Sequence, residues 1–204
     1  MNKEIPPPNA AECGEIRTII DSVRNTLLAH CVQHKAHVGY DYWNDHIKLV
    51  VWHALSLADR YGADREIVEL GALLHDISMP AEYGERSEHA SYSAEMAEKI
   101  LIGLGYPSDR RARVKACVYH HAGRNAHLRS SIEEHCVADG DALAHFDRIP
   151  SLFSLAYNVH KMELEEGRAY VKQRLMDDYH ELTERTKADF EGRYKAIMAY
   201  LFVD

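Results

Sequence analysis

The dipeptide His75-Asp76 closes an apolar run, Ile67-Val68-Glu69-Leu70-Gly71-Ala72-Leu73-Leu74, and this junction constrains the fold more than any other feature of the chain. A helix that is apolar nearly all round belongs at the centre of a domain. Its end therefore carries an imidazole and a carboxylate into a place where carbon would be expected. Burying polar groups without partners costs roughly 2–7 kcal/mol each, and a charge costs more. A divalent ion or a tight hydrogen-bond network has to answer the pair. Nitrogen and oxygen donors together suit Zn, Fe, Mn or Mg. The bland alternative is an imidazole at the negative end of a helix dipole beside a solvated carboxylate.

The whole chain narrows the setting. Its 204 residues suffice for one well-packed domain. A net charge of −8 argues against general nucleic-acid binding and against anionic membranes, both of which want a basic surface. No apolar stretch approaches the roughly 20 residues of a membrane span; Leu49 to Ala58 comes nearest, and His53 interrupts it. The N-terminal residues lack the apolar segment of a secretory signal. Cys13, Cys31, Cys117 and Cys136 are widely spaced and read as reduced, mostly buried thiols, so a cytoplasmic protein is expected. The 14 histidines are unusual, and the question is which of them converge.

Nearly every segment carries helical periodicity, and no period-2 strand stands out. The expectation is an all-α, single-domain chain. Residues 1–39 hold a lead-in, with Asn9 as a cap, and a first helix from residue 10 to about 36. Residues 40–147 form the core, and residues 148–204 add C-terminal helices packed on the same domain. Ile47, Val50, Val51, Ala54, Leu55 and Ala58 make one apolar stripe on the second helix. Asn44 or Asp45, Asp64, Ser87 and Ser108 are the expected caps, and Gly62 the expected stop. A helix from Ser131 to Phe146 precedes one running from Pro150 to about Glu165. The stripe from Val171 to Leu201 reads as intramolecular core, with a homo-oligomer seam as the alternative.

Four potential ligands stand out by placement: His46 in the first turn of the second helix, His75 and Asp76, and Asp141 in Val137-Ala138-Asp139-Gly140-Asp141-Ala142-Leu143. Donors from several helices would hold one ion and leave positions open for water and substrate, as catalytic sites require. The order His46, His75-Asp76, Asp141, with the apolar lead Leu70 to Leu74 and the Asp-x-Asp-x-Leu context of Asp141, resembles the HD superfamily of metal-dependent phosphohydrolases. The resemblance spans roughly residues 40 to 147. It implies an all-α HD-domain bundle around a metal site, with a C-terminal helical extension, and His46, His75, Asp76 and Asp141 as metal ligands. Mn, Fe, Zn, Ni, Co and Mg are the candidate ions.

His89, at the start of one helix, and His120, at the end of the next, have counterparts in the family either as ligands of a second metal or as phosphate contacts. Both assignments stay open, and so does the choice between His120 and His121, although the family pattern favours His120. Asp76, His89 and His120 are therefore the candidate catalytic residues. His89, His120, His121 and Arg124 are the candidate substrate contacts. Several branches carry Gly-Lys after the HD pair where this chain has Ile77-Ser78, and Arg124 or Lys115 would have to supply the missing positive charge. Asp139 reads as a helix-cap acceptor or as support behind the ligands. His30, His34 and His37 read as a partly exposed helix end. His53, His127, His135, His145, His160 and His180 read as ordinary surface or packing residues.

A phosphohydrolase of a small phosphorylated metabolite, expected to be a nucleotide, is the leading reading. A di-iron HD-type oxygenase keeps the same ligands with different chemistry. A regulatory module that holds a nucleotide with little turnover is the third, and the missing lysine favours it.

Overall fold

A computed structural model describes residues 10–202. The expected cap Asn9 and the lead-in before it lie outside these residues. The described residues are all helical with turns and contain no strand. The helices are α1 (Ala10–Val38), α2 (Lys48–Tyr61), α3 (Arg65–Leu74), α4 (His89–Gly103), α5 (Ser108–His120), α6 (Ile132–Asp147), α7 (Ile149–Ser154), α8 (Leu164–Glu181) and α9 (Glu184–Leu201). Helix α3 is the central element, and Ile67, Val68, Leu70, Gly71, Ala72, Leu73 and Leu74 are all buried. It packs against α1, α2, α5 and α6.

The α2–α6 pair makes the most extensive contact in the molecule. Gly140 allows it: a Cβ there would stand 2.9 Å from the backbone nitrogen of Ala54 and 2.9 Å from its Cβ. Two backbones that close leave no room for a side chain at the crossing. Because Asp141 follows Gly140 directly, the same crossing fixes where its carboxylate sits.

Asp64 caps α3 as expected, accepting from the Ile67 N–H. Gly62 ends α2 in the left-handed conformation, φ 74°. Ser131 caps α6 in a reciprocal arrangement with Glu134, the Ser131 hydroxyl donating to a Glu134 oxygen and accepting from the Glu134 N–H. Other caps differ from expectation. Asp41, rather than Asn44 or Asp45, accepts the Asn44 N–H at 3.0 Å. Neither Ser87 nor Ser108 caps by its side chain, since α4 opens after a 3₁₀ turn at Arg86–Glu88 and α5 opens directly after Pro107. The helix expected from Pro150 to Glu165 stops after a π-turn at Leu155–Val159, and α8 begins only at Leu164.

Along the C-terminal stripe, Val171, Leu175, Leu182 and Phe190 are buried within the chain. Asp139 acts as a cap support: its carboxylate accepts from the Thr183 N–H and from the Thr183 and Thr186 hydroxyls, pinning the start of α9 to α6. Cys31, Cys117 and Cys136 are free and buried. Of the helix end expected to be partly exposed, His30 is half-buried and His37 exposed, but His34 is buried, and with His37 it contacts one Glu82 oxygen. No helix among the described residues is long and apolar enough to cross a membrane.

Candidate metal centre

The N-terminal extension of α2 is a π-turn at Trp43–Ile47, and it buries both His46 and Ile47. Such wide turns occur frequently at functional sites. His75 stands at the C-cap of α3 and is fully buried. Asp141 comes from α6, one residue past the glycine crossing. These elements bring His46 Nε2 to 3.1 Å from His75 Nε2 and to 3.2 Å from Asp141 Oδ1. His75 Nε2 lies 3.8 Å from the same oxygen.

Asp76 faces both ways. Its Oδ2 lies 3.7 Å from His46 Nε2 and 3.8 Å from His75 Nε2. Its Oδ1 lies 3.5 Å from His89 Nε2 and 3.5 Å from His121 Nε2. The two Nε2 atoms of that second group are 3.2 Å apart. The site is thus two adjoining groups, His46–His75–Asp141 and Asp76–His89–His121, joined by the two oxygens of Asp76.

His121, not His120, belongs to this arrangement. His120 turns away, its Nδ1 2.7 Å from Glu134 Oε2. The His121 Nδ1–H donates to the Val118 carbonyl at 2.6 Å, which leaves the Nε2 lone pair aimed inward. His75 Nδ1 donates to the Ala72 carbonyl, and His89 Nδ1 lies 3.1 Å from the Arg86 carbonyl. Backbone bonds of this kind fix a metal-ligating tautomer.

The donor set fits a divalent cation on three counts. Imidazole nitrogens facing each other at about 3 Å with their other nitrogens protonated would repel without a cation between them. Asp76 Oδ1 and Asp141 Oδ1 are buried atoms with no hydrogen-bond partner among the described residues. Donors around one first-row ion, each roughly 2.0–2.2 Å from it, sit about 3.0–3.6 Å from each other, close to the spacings here. Burial disfavours the charged His121 ring, but the Asp76 carboxylate beside it raises its pKa above the usual value, so a bound cation has to displace a proton there. Burial drives the His75 pKa down to about 4, so its ring is neutral. Burial opposes ionisation of Asp76 and Asp141, yet the surrounding imidazoles outweigh it and hold both carboxyls well below the usual range.

Sequence reasoning missed a third layer. His145, one turn beyond Asp141 on α6, stacks on the His46 ring at 5.2 Å and 12°. Its Nε2 is 4.0 Å from Asp141 Oδ1, and its Nδ1 makes an ion-pair contact of 3.0 Å with Asp178 on α8. Burial disfavours the charged ring, but Asp178 raises its pKa above the usual value. The i, i+4 spacing from Asp141 was the available signal; nothing local marked Asp178.

A cavity of about 280 Å³ opens over the cluster, and its wall includes Met79, Arg86, Leu152, Leu155, His160, Tyr170 and Arg174. A second, of about 250 Å³, shares His89, His121, Asp141 and Arg174 and reaches Arg124. Arg124 donates to Glu88 at 2.6 Å. Lys115 pairs with Glu98 and lines neither cavity, so it does not replace the absent lysine.

The family model of the HD domain matches residues 44–145. No curated protein matches the chain in sequence. Among solved structures, Bacillus subtilis YpgQ is similar with a TM-score of 0.67 at 19% identity, covering 91% of this chain and 93% of that one. YpgQ in complex with ADP gives 0.66 at 18% identity, covering 92% and 93%. The Lin1889 protein of Listeria innocua gives 0.63 at 17% identity, covering 91% and 93%.

Proposed function

The chain belongs to the HD-domain family, and from that premise we propose that it is a metal-dependent phosphohydrolase acting on a small phosphorylated metabolite, a nucleotide in the first instance. The observation that carries the reading is the buried pair of donor groups sharing Asp76, with its unpartnered carboxylate oxygens. His46, His75, Asp76 and Asp141 hold a first ion. His89 and His121 join Asp76 either around a second ion or against the substrate phosphate. When bound, a divalent ion acidifies a water toward neutral pH and neutralises charge on phosphoryl oxygens.

The protein's own groups do the rest. Asp76, kept ionised, is placed to orient the attacking water and accept its proton. His89 is the more open of the inner histidines, 26% exposed, and is placed to meet the phosphoryl group from the cavity side. Arg124 adds positive charge at the second cavity. The mixed aromatic and apolar wall of the larger cavity, with Tyr170, Leu152 and Leu155, suits the flat apolar body of a nucleobase. The ADP complex of YpgQ, a protein of similar fold, supports the nucleotide.

The shared carboxylate also favours a second reading, a dinuclear iron oxygenase, because one Asp between two histidine pairs suits two ions. Elemental analysis of protein purified without added metal separates the two. Two irons with oxygen-dependent turnover favour the oxygenase. Phosphate release from a nucleotide panel with Mn, Co, Ni or Mg, abolished in Asp76→Ala, favours the hydrolase. Turnover retained by Asp76→Ala with metal bound would refute the role given to Asp76.

A further inference from the structure

We propose that α8 supplies the anion anchor of this site: Arg174, oriented by Asp178, grips a phosphoryl oxygen of the substrate that is not itself transferred. The proposal rests on the phosphohydrolase reading and extends it to a helix outside the 44–145 family match.

Arg174 lines both cavities, together with His89, His121 and Asp141, so it stands where the two spaces meet at the cluster. Its Nε lies 3.1 Å from Asp178 Oδ1 and 3.3 Å from Oδ2. Neither Nη nitrogen meets a protein acceptor at hydrogen-bond distance among the described residues, and the side chain is 44% exposed at the cavity wall. An ordinary i, i+4 ion pair on a helix surface is worth only about 0.2–0.5 kcal/mol and leaves both chains mobile. Here the acid is 7% exposed and also engages His145, which in turn stacks on His46. Asp178 therefore orients the guanidinium relative to the donor cluster through its hydrogen bond to Arg174 and its 3.0 Å charge contact with His145. It is a positioning residue.

Charge and shape point the same way. Asp141, Asp177, Asp178 and Glu181 surround the second cavity, so a phosphate entering it needs a cation in the wall. The other two arginines have partners for an Nη, Glu88 for Arg124 and the Tyr42 hydroxyl for Arg86. A guanidinium with Nε occupied and two Nη groups free presents a planar fork, which matches two oxygens of a phosphate or diphosphate; an ammonium does not.

The test is calorimetric titration of the full-length, Mn²⁺-loaded protein with inorganic phosphate, pyrophosphate and ADP. Arg174→Ala should weaken the tightest of these at least tenfold with Mn²⁺ stoichiometry unchanged, and Arg174→Lys should recover only part of the loss. Asp178→Asn should weaken the same anion, again without losing Mn²⁺. Where a nucleotide is turned over, Arg174→Ala should raise KM more than it lowers kcat. Wild-type affinity in Arg174→Ala overturns the proposal, and so does loss of Mn²⁺ in that variant, which would make the residue structural. If Arg174→Ala fails to fold, undiminished affinity in Arg174→Lys overturns it. A loaded wild type that binds none of the three anions overturns it as well. Anion binding that depends on Arg174 without phosphate release from any nucleotide leaves the anchor standing and refutes the hydrolase reading.

Discussion

His120 and His121 are neighbours, and one residue of helix turns a side chain by about 100°, so only one of them can face the cluster. The choice is made from outside α5. Glu134, held in the first turn of α6 by the Ser131 cap, presents an oxygen 2.7 Å from His120 Nδ1 and draws that ring outward. Arg129 then bonds the carbonyls of both histidines and fixes the end of the helix. The two substitutions should therefore separate. His121→Ala should lower the metal content or affinity of purified protein while the helical signal stays. His120→Ala should leave metal content unchanged and cost about 1 kcal/mol in denaturant unfolding, because a buried carboxylate loses one of its partners. Equal metal loss in both would sink this assignment. Sequence alone showed a histidine pair at a helix end and a helix starting at Ser131; it could not show that Glu134 and the pair meet, since that contact is made by packing α5 on α6.

At the scale of elements, the periodicity that places apolar groups every three to four residues was enough to find α1 to α6 and the burial of α3. Terminal details were not legible. A π-turn such as Trp43–Ile47 has no sequence signature, and a cap one residue early or late changes no hydrophobic pattern. The α2–α6 crossing was equally hidden, because Gly140 reads as an unremarkable break in an apolar helix until Ala54 is seen against it. Gly140→Ala should destabilise the fold by about 1–3 kcal/mol through overpacking and should also weaken metal binding by moving Asp141 off His46. Gly192→Ala, with nothing within 4 Å of the added Cβ in mid-α9, should instead stabilise by about 0.5–1 kcal/mol. Comparable losses in both variants would remove the crossing argument.

The cap of α3 gives a pH test at the same scale. Burial works against Asp64, but bonds from Arg110 and Arg113 prevail and hold its carboxyl below the usual value near 3.8. A carboxylate with a depressed folded pKa contributes stability above the unfolded pKa and loses it as pH falls through the folded one. The stability gap between wild type and Asp64→Asn should thus be full at pH 6 and shrink below about pH 4. A gap that stays constant down to pH 3 would mean that Asp64 acts by hydrogen-bond geometry rather than charge.

Across the whole molecule, the donor cluster joins five chain segments and α8 closes over it, so the site and the fold share their closing contacts. The HD core was legible because His46, the His75-Asp76 pair and Asp141 sit at fixed places in helical patterns. The α8 contribution was not, because Arg174 and Asp178 look like any surface pair until His145 is found beneath them. This coupling makes metal content a stability variable. Without a cation, four imidazoles and two unpartnered carboxylate oxygens crowd one largely buried space, and an ion relieves that repulsion only in the folded state. An ion present at 100 times its Kd stabilises the fold by about 2.7 kcal/mol. For a chain of this size, each kcal/mol moves Tm by roughly 2–4 °C. Chelation should then lower Tm by about 5–10 °C, and re-addition of Mn, Fe, Zn, Ni or Co should restore it, with Asp76→Ala and His75→Ala insensitive to both treatments. A melting curve of the wild type that no chelator and no divalent ion can move would show that the cluster holds no cation in the folded protein.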